Sequence, residues 1–93
     1  MTCYTYIVEG NDGNFYTGIT TNLRRRVEQH NGIGWLPGAR YTKSRRPVFL
    51  VHIEKFSTRK EAALRERNIK DFSHERKCEL INGTTKANIV SAI

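Results

Sequence analysis

The chain has 93 residues, a length that fits one domain, and we expect a single domain over residues 1–93. Its 38% hydrophobic content allows one compact core, and no apolar run approaches the ~20 residues of a membrane span, so a membrane protein is not expected. Sixteen basic against nine acidic residues give a net charge of +7, which favours nucleic acid, or less often an anionic membrane surface, as partner. The first ten residues show no signal peptide, so we expect a cytoplasmic (intracellular) protein.

The two cysteines, Cys3 and Cys78, lie far apart in the chain. They show no Cys-x-x-Cys spacing and no nearby histidine pair, so a zinc site is not expected. In a reducing compartment we expect reduced thiols rather than a disulfide.

The first third of the chain predicts a hairpin followed by a helix. Residues 3–8 are β-branched and aromatic, which is typical of a strand. Asp12-Gly13 predicts a tight turn, and residues 15–19 form the returning strand, which must be antiparallel to the first. Thr20-Thr21-Asn22 then offers capping side chains for a helix over residues 23–30.

The middle of the chain predicts a loop, a strand and two helices. Residues 32–47 are rich in glycine and proline and form a loop. Residues 48–53 are apolar almost throughout, so we expect this third strand to be central in the sheet. Thr58 begins a capping-box pattern for a helix that reaches about residue 72. Ser73 caps a short third helix that ends near Ile81.

The tail carries Ile89, Val90 and Ile93, which we expect to pack as a last strand or turn. The order of elements predicts an α+β fold, with a small three-stranded antiparallel sheet flanked by helices.

The first helix places a histidine and an arginine beside its apolar face. Leu23 and Val27 form an i, i+4 pair that anchors the helix to the core. Arg26 and His30 form a second i, i+4 pair on the adjoining edge. A guanidinium there is suited to hold a phosphate by two hydrogen bonds. The alternative is a solvated basic helix whose C-terminal histidine is favoured by the helix dipole.

The second helix carries a carboxylate on its apolar stripe. Ala62, Glu66, Ile69 and Phe72 are spaced so that they share one face. A carboxylate on a buried face is costly unless it is paired or bound to a metal ion, so Glu66 is a candidate metal ligand. The alternatives are an internal ion pair, for instance with Arg26, or a stripe edge that reaches solvent.

The hairpin is rich in tyrosine. Tyr4 and Tyr6 share one face of their strand, and tyrosines in strands most often serve packing. Gly18, two residues after Tyr16, indicates a bulge or a place where another group approaches the backbone closely.

Together these residues resemble the GIY-YIG nuclease superfamily. Tyr4-Thr5-Tyr6 stands for its first tripeptide and Tyr16-Thr17-Gly18 for its second, although only the final tyrosine of the first is kept. Arg26 lies eight positions after Gly18, where the family has its arginine, and His30 and Glu66 match its later positions. The resemblance is closest to the small stand-alone branch and covers roughly residues 4–81. That branch is similar to the nuclease domains of excision-repair nucleases and of GIY-YIG homing endonucleases.

The resemblance implies a metal-dependent endonuclease that cleaves nucleic acid, for which we expect DNA before RNA. The small footprint of a lone domain favours low sequence specificity. DNA repair is one process that fits, and recombination, defence, uptake and RNA turnover stay open beside it. Glu66 would hold one Mg²⁺ or Mn²⁺ ion, because a single carboxylate with waters suits these ions. The expected catalytic residues are Tyr6, Tyr16, Arg26, His30 and Glu66. The expected contacts to the nucleic-acid backbone come from the basic loop, at Arg40, Tyr41, Lys43, Arg45 and Arg46.

Two questions stay open at this level. The base or water-orienting group is Tyr6 or Tyr16, with His30 as a relay or orienting residue. A tyrosine that serves as base needs a nearby cation to make it more acidic, and Arg26 or the metal ion would provide one. The rival function is a catalytically weak or inactive nucleic-acid-binding module of the same fold. A protein partner that targets the nuclease is also compatible with so small a unit.

Overall fold

The computed structural model describes residues 2–31, 47–84, 89 and 91. These residues form three strands and three helices, in the order β1 (Cys3–Glu9), β2 (Phe15–Thr20), α1 (Leu23–His30), β3 (Phe49–Phe56), α2 (Arg59–Lys70) and α3 (His74–Asn82). The strands make one antiparallel sheet, so the predicted α+β class is confirmed. None of the helices in the described ranges has the length and apolar content needed to cross a membrane.

The β1–β2 hairpin closes where the sequence predicts its turn. Gly13 has a φ of +81°, a conformation that costs an L side chain energy and that glycine adopts freely. The Gly10 amide donates to the Asn14 carbonyl at 2.9 Å, and the Asp12 carboxylate accepts from the Asn14 amide at 3.1 Å. The turn therefore sets the register, which pairs Tyr6 with Gly18 and Val8 with Tyr16.

The strand order corrects one prediction. β1 is central and β3 lies at the edge, because the order is β2-β1-β3. The apolar run of residues 48–53 favoured a central position, yet Phe49 on β3 is 60% exposed. β1 tolerates the central position although it carries hydroxyl groups, because the buried Thr5 hydroxyl donates to the Ala62 carbonyl at 2.8 Å. β3 also continues past its predicted end to Phe56, and its pairing with β1 shifts register between Ile7 and Val8.

Helices pack on the two faces of the sheet. On one face, Tyr6 and Val8 of β1 form a buried cluster with Leu23 of α1 and with Val48. On the other face, Thr5 contacts α2 through its hydrogen bond to Ala62. The alternation of side chains along β1 therefore places Tyr6 and Val8 on the face of Leu23, and Thr5 on the opposite face.

Each helix begins where the sequence predicts a capping residue, and Asn22 is the cap among the three candidates before α1. The side chains of Asn22, Thr58 and Ser73 accept hydrogen bonds from backbone amides three residues later, at 3.1 to 3.2 Å. Each cap satisfies one amide that the first turn of a helix leaves without a partner. The boundaries of the helices therefore follow from local sequence.

The end of α1 is tied directly to the start of β3. The Asn31 side chain accepts a hydrogen bond from the Val48 amide at 2.7 Å and donates one to the Val48 carbonyl at 3.1 Å. A single amide side chain thus satisfies both backbone groups of Val48, whose own side chain is in the core. The predicted loop over residues 32–47 lies outside the described residues apart from Pro47.

Two further predictions can be checked in part. Cys3 and Cys78 are both free, as expected. In the tail, Ile89 is helical, so the predicted strand or turn is wrong there, while Val90 and Ile93 lie outside the described residues.

A polar network joins β3 to α2. Glu54 accepts two hydrogen bonds from Arg65, at 2.8 and 3.1 Å, and its carboxylate lies 2.7 Å from His52 Nε2. His52 Nδ1 also contacts the Thr84 hydroxyl at the end of α3. Burial raises the pKa of Glu54, but the hydrogen bonds from Arg65 and His52 outweigh this effect, so its pKa lies below the ordinary value. The partly buried negative charge of Glu54 is therefore stabilised by charge-assisted hydrogen bonds.

Glu54→Gln is expected to lower the free energy of unfolding at pH 7 by about 1–3 kcal/mol, the usual effect of removing a charged hydrogen-bond partner. Because the folded-state pKa is depressed, the ionised carboxylate stabilises the fold above its unfolded pKa near ~4.3 and loses this effect as pH falls further. Urea unfolding at neutral and acidic pH should therefore show a smaller acid-induced loss in Glu54→Gln than in the parent protein. Glu79→Gln, at an exposed position, is the matched control. If Glu54→Gln lost as much stability in acid as the parent protein, the stabilising role of the ionised Glu54 carboxylate would be contradicted.

Candidate active site

Three predicted residues meet at the hydroxyl group of Tyr6. Arg26 Nε donates a hydrogen bond to Tyr6 Oη at 3.0 Å, and His30 Nε2 lies 2.9 Å from the same oxygen. Tyr6 is 1% exposed and His30 is fully buried, whereas Arg26 is half-buried. The cluster therefore joins a buried pair of aromatic side chains to a guanidinium that reaches the surface.

The fold brings the three together because side chains alternate along a strand and recur every four residues on one face of a helix. Tyr6 lies on the central strand, on the face that packs against α1. Arg26 and His30 lie one turn apart on α1, so both face the same point of the sheet. Leu23 anchors this helix in the same apolar cluster as Tyr6. The i, i+4 pair that the sequence places beside the apolar face is thus adjacent to the core.

Gly18 provides the space that the Tyr6 ring occupies. A Cβ atom at residue 18 would lie 2.6 Å from Tyr6 Oη and 2.8 Å from its Cζ, both well inside contact distance. Gly18 is the cross-strand partner of Tyr6, and the ring lies across its backbone. Of the two predictions for Gly18, the close approach of another group is therefore correct.

Gly18→Ala is expected to displace the Tyr6 hydroxyl from Arg26 and His30, because the added methyl group overlaps the end of the buried ring. A shift of this kind should reduce any activity that depends on the cluster by about 10- to 100-fold. Overpacking should also lower the free energy of unfolding by about 1–3 kcal/mol.

The matched control is Gly83→Ala, where the new Cβ atom would lie 3.5 Å from the nearest atom and makes only ordinary contact. Urea unfolding and a nucleic-acid cleavage assay should separate the two variants. Equal stability and equal activity in Gly18→Ala and the parent protein would show that Tyr6 adjusts without consequence.

Tyr16 completes the cluster from the neighbouring strand. Its ring makes an edge contact with the His30 ring, with centroids 5.1 Å apart and planes at 66°. Burial lowers the pKa of Arg26, but the hydrogen bond to Tyr6 and the interactions with Tyr6 and Tyr16 outweigh it, so the pKa of this arginine is raised. Unlike Tyr6, Tyr16 is only partly buried. The two tyrosines therefore share the same arginine and histidine, but only Tyr16 reaches solvent.

The environment of Tyr6 sets its protonation state. Burial raises the pKa of Tyr6 to about 12, although the Arg26 hydrogen bond and charge act in the opposite direction. Arg26 thus lowers the pKa of Tyr6, as expected of a nearby cation, but desolvation is the larger effect. Tyr6 is a neutral phenol at physiological pH, with a proton to donate.

Glu66 lies near this cluster on α2. Burial is the main cause of the raised pKa of Tyr6, and the negative charge of Glu66 adds to it, so the two groups lie within electrostatic range. Its side chain is 23% exposed and forms an ion pair with Lys70, with Nζ 3.5 Å from Oε2. Among the described residues the ion-pair partner of Glu66 is Lys70 rather than Arg26, and the side chain is partly open to solvent. The role of Glu66 as a metal ligand stays a prediction.

The donor set at Glu66 fits one kind of metal site. Among the described residues no three histidine, cysteine or acidic side chains cluster closely enough to enclose an ion. Glu66 thus offers a single carboxylate, partly open to solvent. Magnesium is commonly held by one or two carboxylates together with waters and substrate phosphates, so the residues present fit an ion that is shared with a phosphate.

The predicted contacts of the basic loop lie outside the described residues. This set comprises Arg40, Tyr41, Lys43, Arg45 and Arg46. The structure instead shows a basic surface that was not predicted, formed by Lys60, Arg67 and Lys70 around Glu66. The available signal was the helical spacing of these residues, since positions 60, 67 and 70 share one face of α2.

The fold and the cluster define a small α+β domain with two tyrosines, an arginine and a histidine joined at one point near a helix-borne glutamate. The GIY-YIG catalytic domain matches residues 2–79 of the chain. The chain therefore belongs to the GIY-YIG family of nucleases, whose members generally use a divalent metal ion and bind nucleic acid.

Relatives of similar size support this assignment. The UPF0213 protein DP2720 of Desulfotalea psychrophila is 49% identical over 83 residues, which cover 89% of this chain and 74% of that protein. A UPF0213 protein of Haloquadratum walsbyi is 47% identical, over 91% of this chain and 92% of its own. The solution structure of the UPF0213 protein BH0048 from Bacillus halodurans aligns with a TM-score of 0.56 and 38% identity, over 88% of this chain and 84% of that one. The chain is thus similar to small proteins that consist largely of this domain.

Proposed function

We propose that the protein is a metal-dependent endonuclease that hydrolyses phosphodiester bonds in nucleic acid, DNA rather than RNA, with low sequence specificity. The observation that carries this proposal is the meeting of Arg26, His30 and Tyr6 at one hydroxyl group, with Tyr16 and Glu66 beside it. The net charge of +7 supports a polyanionic substrate. A unit of this size has a small footprint, which supports low sequence specificity.

In this proposal Arg26 stabilises the charge on the phosphate. Its guanidinium is fixed on two sides, by the hydrogen bond to Tyr6 and by one from Nη1 to Gln29 Oε1 at 3.2 Å. A fixed planar donor set matches the geometry of phosphate oxygens and loses little freedom when it binds them. Arg26 therefore supplies a preorganised positive charge where negative charge develops in the transition state.

The two tyrosines take different roles. Tyr6 keeps its proton at neutral pH, so it acts as a positioning residue that holds Arg26 and His30 in place. Tyr16 is the partly exposed member of the pair and shares the same arginine. We assign to Tyr16 the orientation of the attacking water. His30 lies between the two rings and keeps both in position.

Glu66 would hold the divalent ion, Mg²⁺ or Mn²⁺, as the protein's own ligand. When bound, such an ion acts as a Lewis acid toward the phosphate and stabilises the leaving oxygen. The single carboxylate leaves most coordination positions to waters and to the substrate. Metal binding and substrate binding are thus expected to depend on one another.

The test is cleavage by chelator-treated protein of a labelled panel of single-stranded, duplex, nicked and branched DNA and of single-stranded RNA. Each substrate is incubated with Mg²⁺, with Mn²⁺ and with EDTA, and binding is measured in parallel. Metal-dependent internal cuts support the proposal, and the preferred substrate names the class. Salt-sensitive binding without cleavage of any substrate would overturn it in favour of a nucleic-acid-binding module.

A further inference from the structure

Lys70 forms an ion pair with Glu66, the one carboxylate that we assign to the metal ion. The ammonium group lies one helical turn from Glu66, at 3.5 Å from Oε2, and its side chain is 52% exposed. In this arrangement the carboxylate already has a positive partner. A divalent ion that binds Glu66 must therefore compete with Lys70 and also approach its positive charge.

The same lysine lines an open groove along α2. The groove has a volume of 520 Å³, and its lining comprises Lys60, Ala63, Leu64, Glu66, Arg67 and Lys70. The groove thus carries three positive charges and one carboxylate, and Lys70 is the cation paired with that carboxylate. Lys60, Arg67 and Lys70 are all exposed, and Leu64 between them is 62% exposed. The charge of the groove is complementary to a chain of phosphates.

We propose that this groove binds the backbone of the nucleic acid and that a phosphate in it draws Lys70 away from Glu66, which frees the carboxylate for the metal ion. The inference rests on the proposed function, because it assigns the metal ion to Glu66. Lys70 is then a positioning residue that couples the two binding events. Without nucleic acid it keeps metal affinity low, and with nucleic acid it turns to the phosphate.

An exposed lysine can make this exchange at little cost. Ion pairs between residues four positions apart on a helix surface are weak, and a long flexible side chain can reach a new partner without moving the backbone. A phosphate next to the groove offers Lys70 a stronger charge-assisted hydrogen bond. The exchange therefore needs no change in the fold.

The experiment measures Mn²⁺ affinity by electron paramagnetic resonance of the free ion, for the full chain alone and in complex with a short phosphorothioate DNA oligonucleotide that resists hydrolysis. Binding of Mn²⁺ to the oligonucleotide itself is measured separately and subtracted. For the protein alone, Lys70→Gln is expected to bind Mn²⁺ about three- to tenfold more tightly than the parent, since the competing charge is gone. In the complex the two proteins are expected to agree within about twofold.

Two variants serve as controls. Lys70→Arg keeps the charge and should resemble the parent protein. Lys60→Gln removes the same charge from the same helix face nearly two turns from Glu66. In the protein without DNA it should change Mn²⁺ affinity by less than about twofold, because salt screens charges at that distance.

Three outcomes would overturn the inference. One is equal Mn²⁺ affinity of Lys70→Gln and the parent without DNA, and another is an advantage of Lys70→Gln that persists in the complex. The third is an increase in Mn²⁺ affinity in Lys60→Gln as large as that in Lys70→Gln, which would show that the total charge matters rather than the position of Lys70. Glu66→Gln with the Mn²⁺ affinity of the parent would instead overturn the metal assignment, and so distinguishes failure of the proposed function from failure of the coupling alone.

Discussion

Glu66→Gln is expected to reduce metal-dependent cleavage by about 10³-fold or more while leaving nucleic-acid affinity in EDTA within about threefold of the parent. The amide has nearly the shape of the carboxylate but no charge to hold a divalent ion. A loss of 10³ corresponds to about 4 kcal/mol, a size that fits the Lewis-acid contribution of a metal ion to a transition state. The measurement is the single-turnover cleavage rate beside a binding titration.

The fold should tolerate this substitution. The Glu66 side chain is 23% exposed, and its ion pair with Lys70 lies at the surface, where such pairs contribute little to stability. Glu61→Gln, at an exposed position earlier on the same helix, is the matched control and should retain full activity. A Glu66→Gln protein that keeps more than about a tenth of the parent rate would contradict the metal assignment, provided that both variants unfold at the same urea concentration.

The elements of the fold were predictable because their signals are local. Capping side chains at Asn22, Thr58 and Ser73 and the glycine turn at Gly13 act over three or four residues, and the structure uses all of them. Strand order is different, since it depends on pairing between distant segments. β3 is apolar enough for a central strand but lies at the edge, whereas β1 is central and one of its buried hydroxyls has a hydrogen-bond partner on α2.

The part of the site that depends on helical spacing and on the family resemblance could be predicted from the sequence. The i, i+4 relation of Arg26 and His30 placed both at the edge of the core, where they meet Tyr6. The protonation state of Tyr6 was not predictable, because it depends on how deeply the ring is buried. The Lys70 partner of Glu66 could have been predicted, since the two residues form a plain i, i+4 pair of opposite charges.

Arg26→Lys is expected to lower the cleavage rate by about 10²- to 10³-fold, the usual effect of removing one oriented donor from a charge-stabilising site. The lysine keeps the positive charge but has neither the planar shape nor the number of donors to hold Tyr6 and Gln29 together. Tyr6 would keep its hydrogen bond with His30, so most of the cluster should remain. The variant therefore tests orientation of the charge rather than its presence.

Arg25→Lys is the matched control, because Arg25 is the preceding residue on α1 and is exposed. It should cleave at the rate of the parent, since only its backbone amide takes part in the cap made by Asn22. If the two lysine variants cleave equally well, any positive charge at α1 suffices and the proposed role of the Arg26 guanidinium is wrong. If only Arg26→Lys fails, combining it with Glu66→Gln should add little further loss. Groups that act on one transition state are strongly non-additive, so this result would place both residues at the same phosphate.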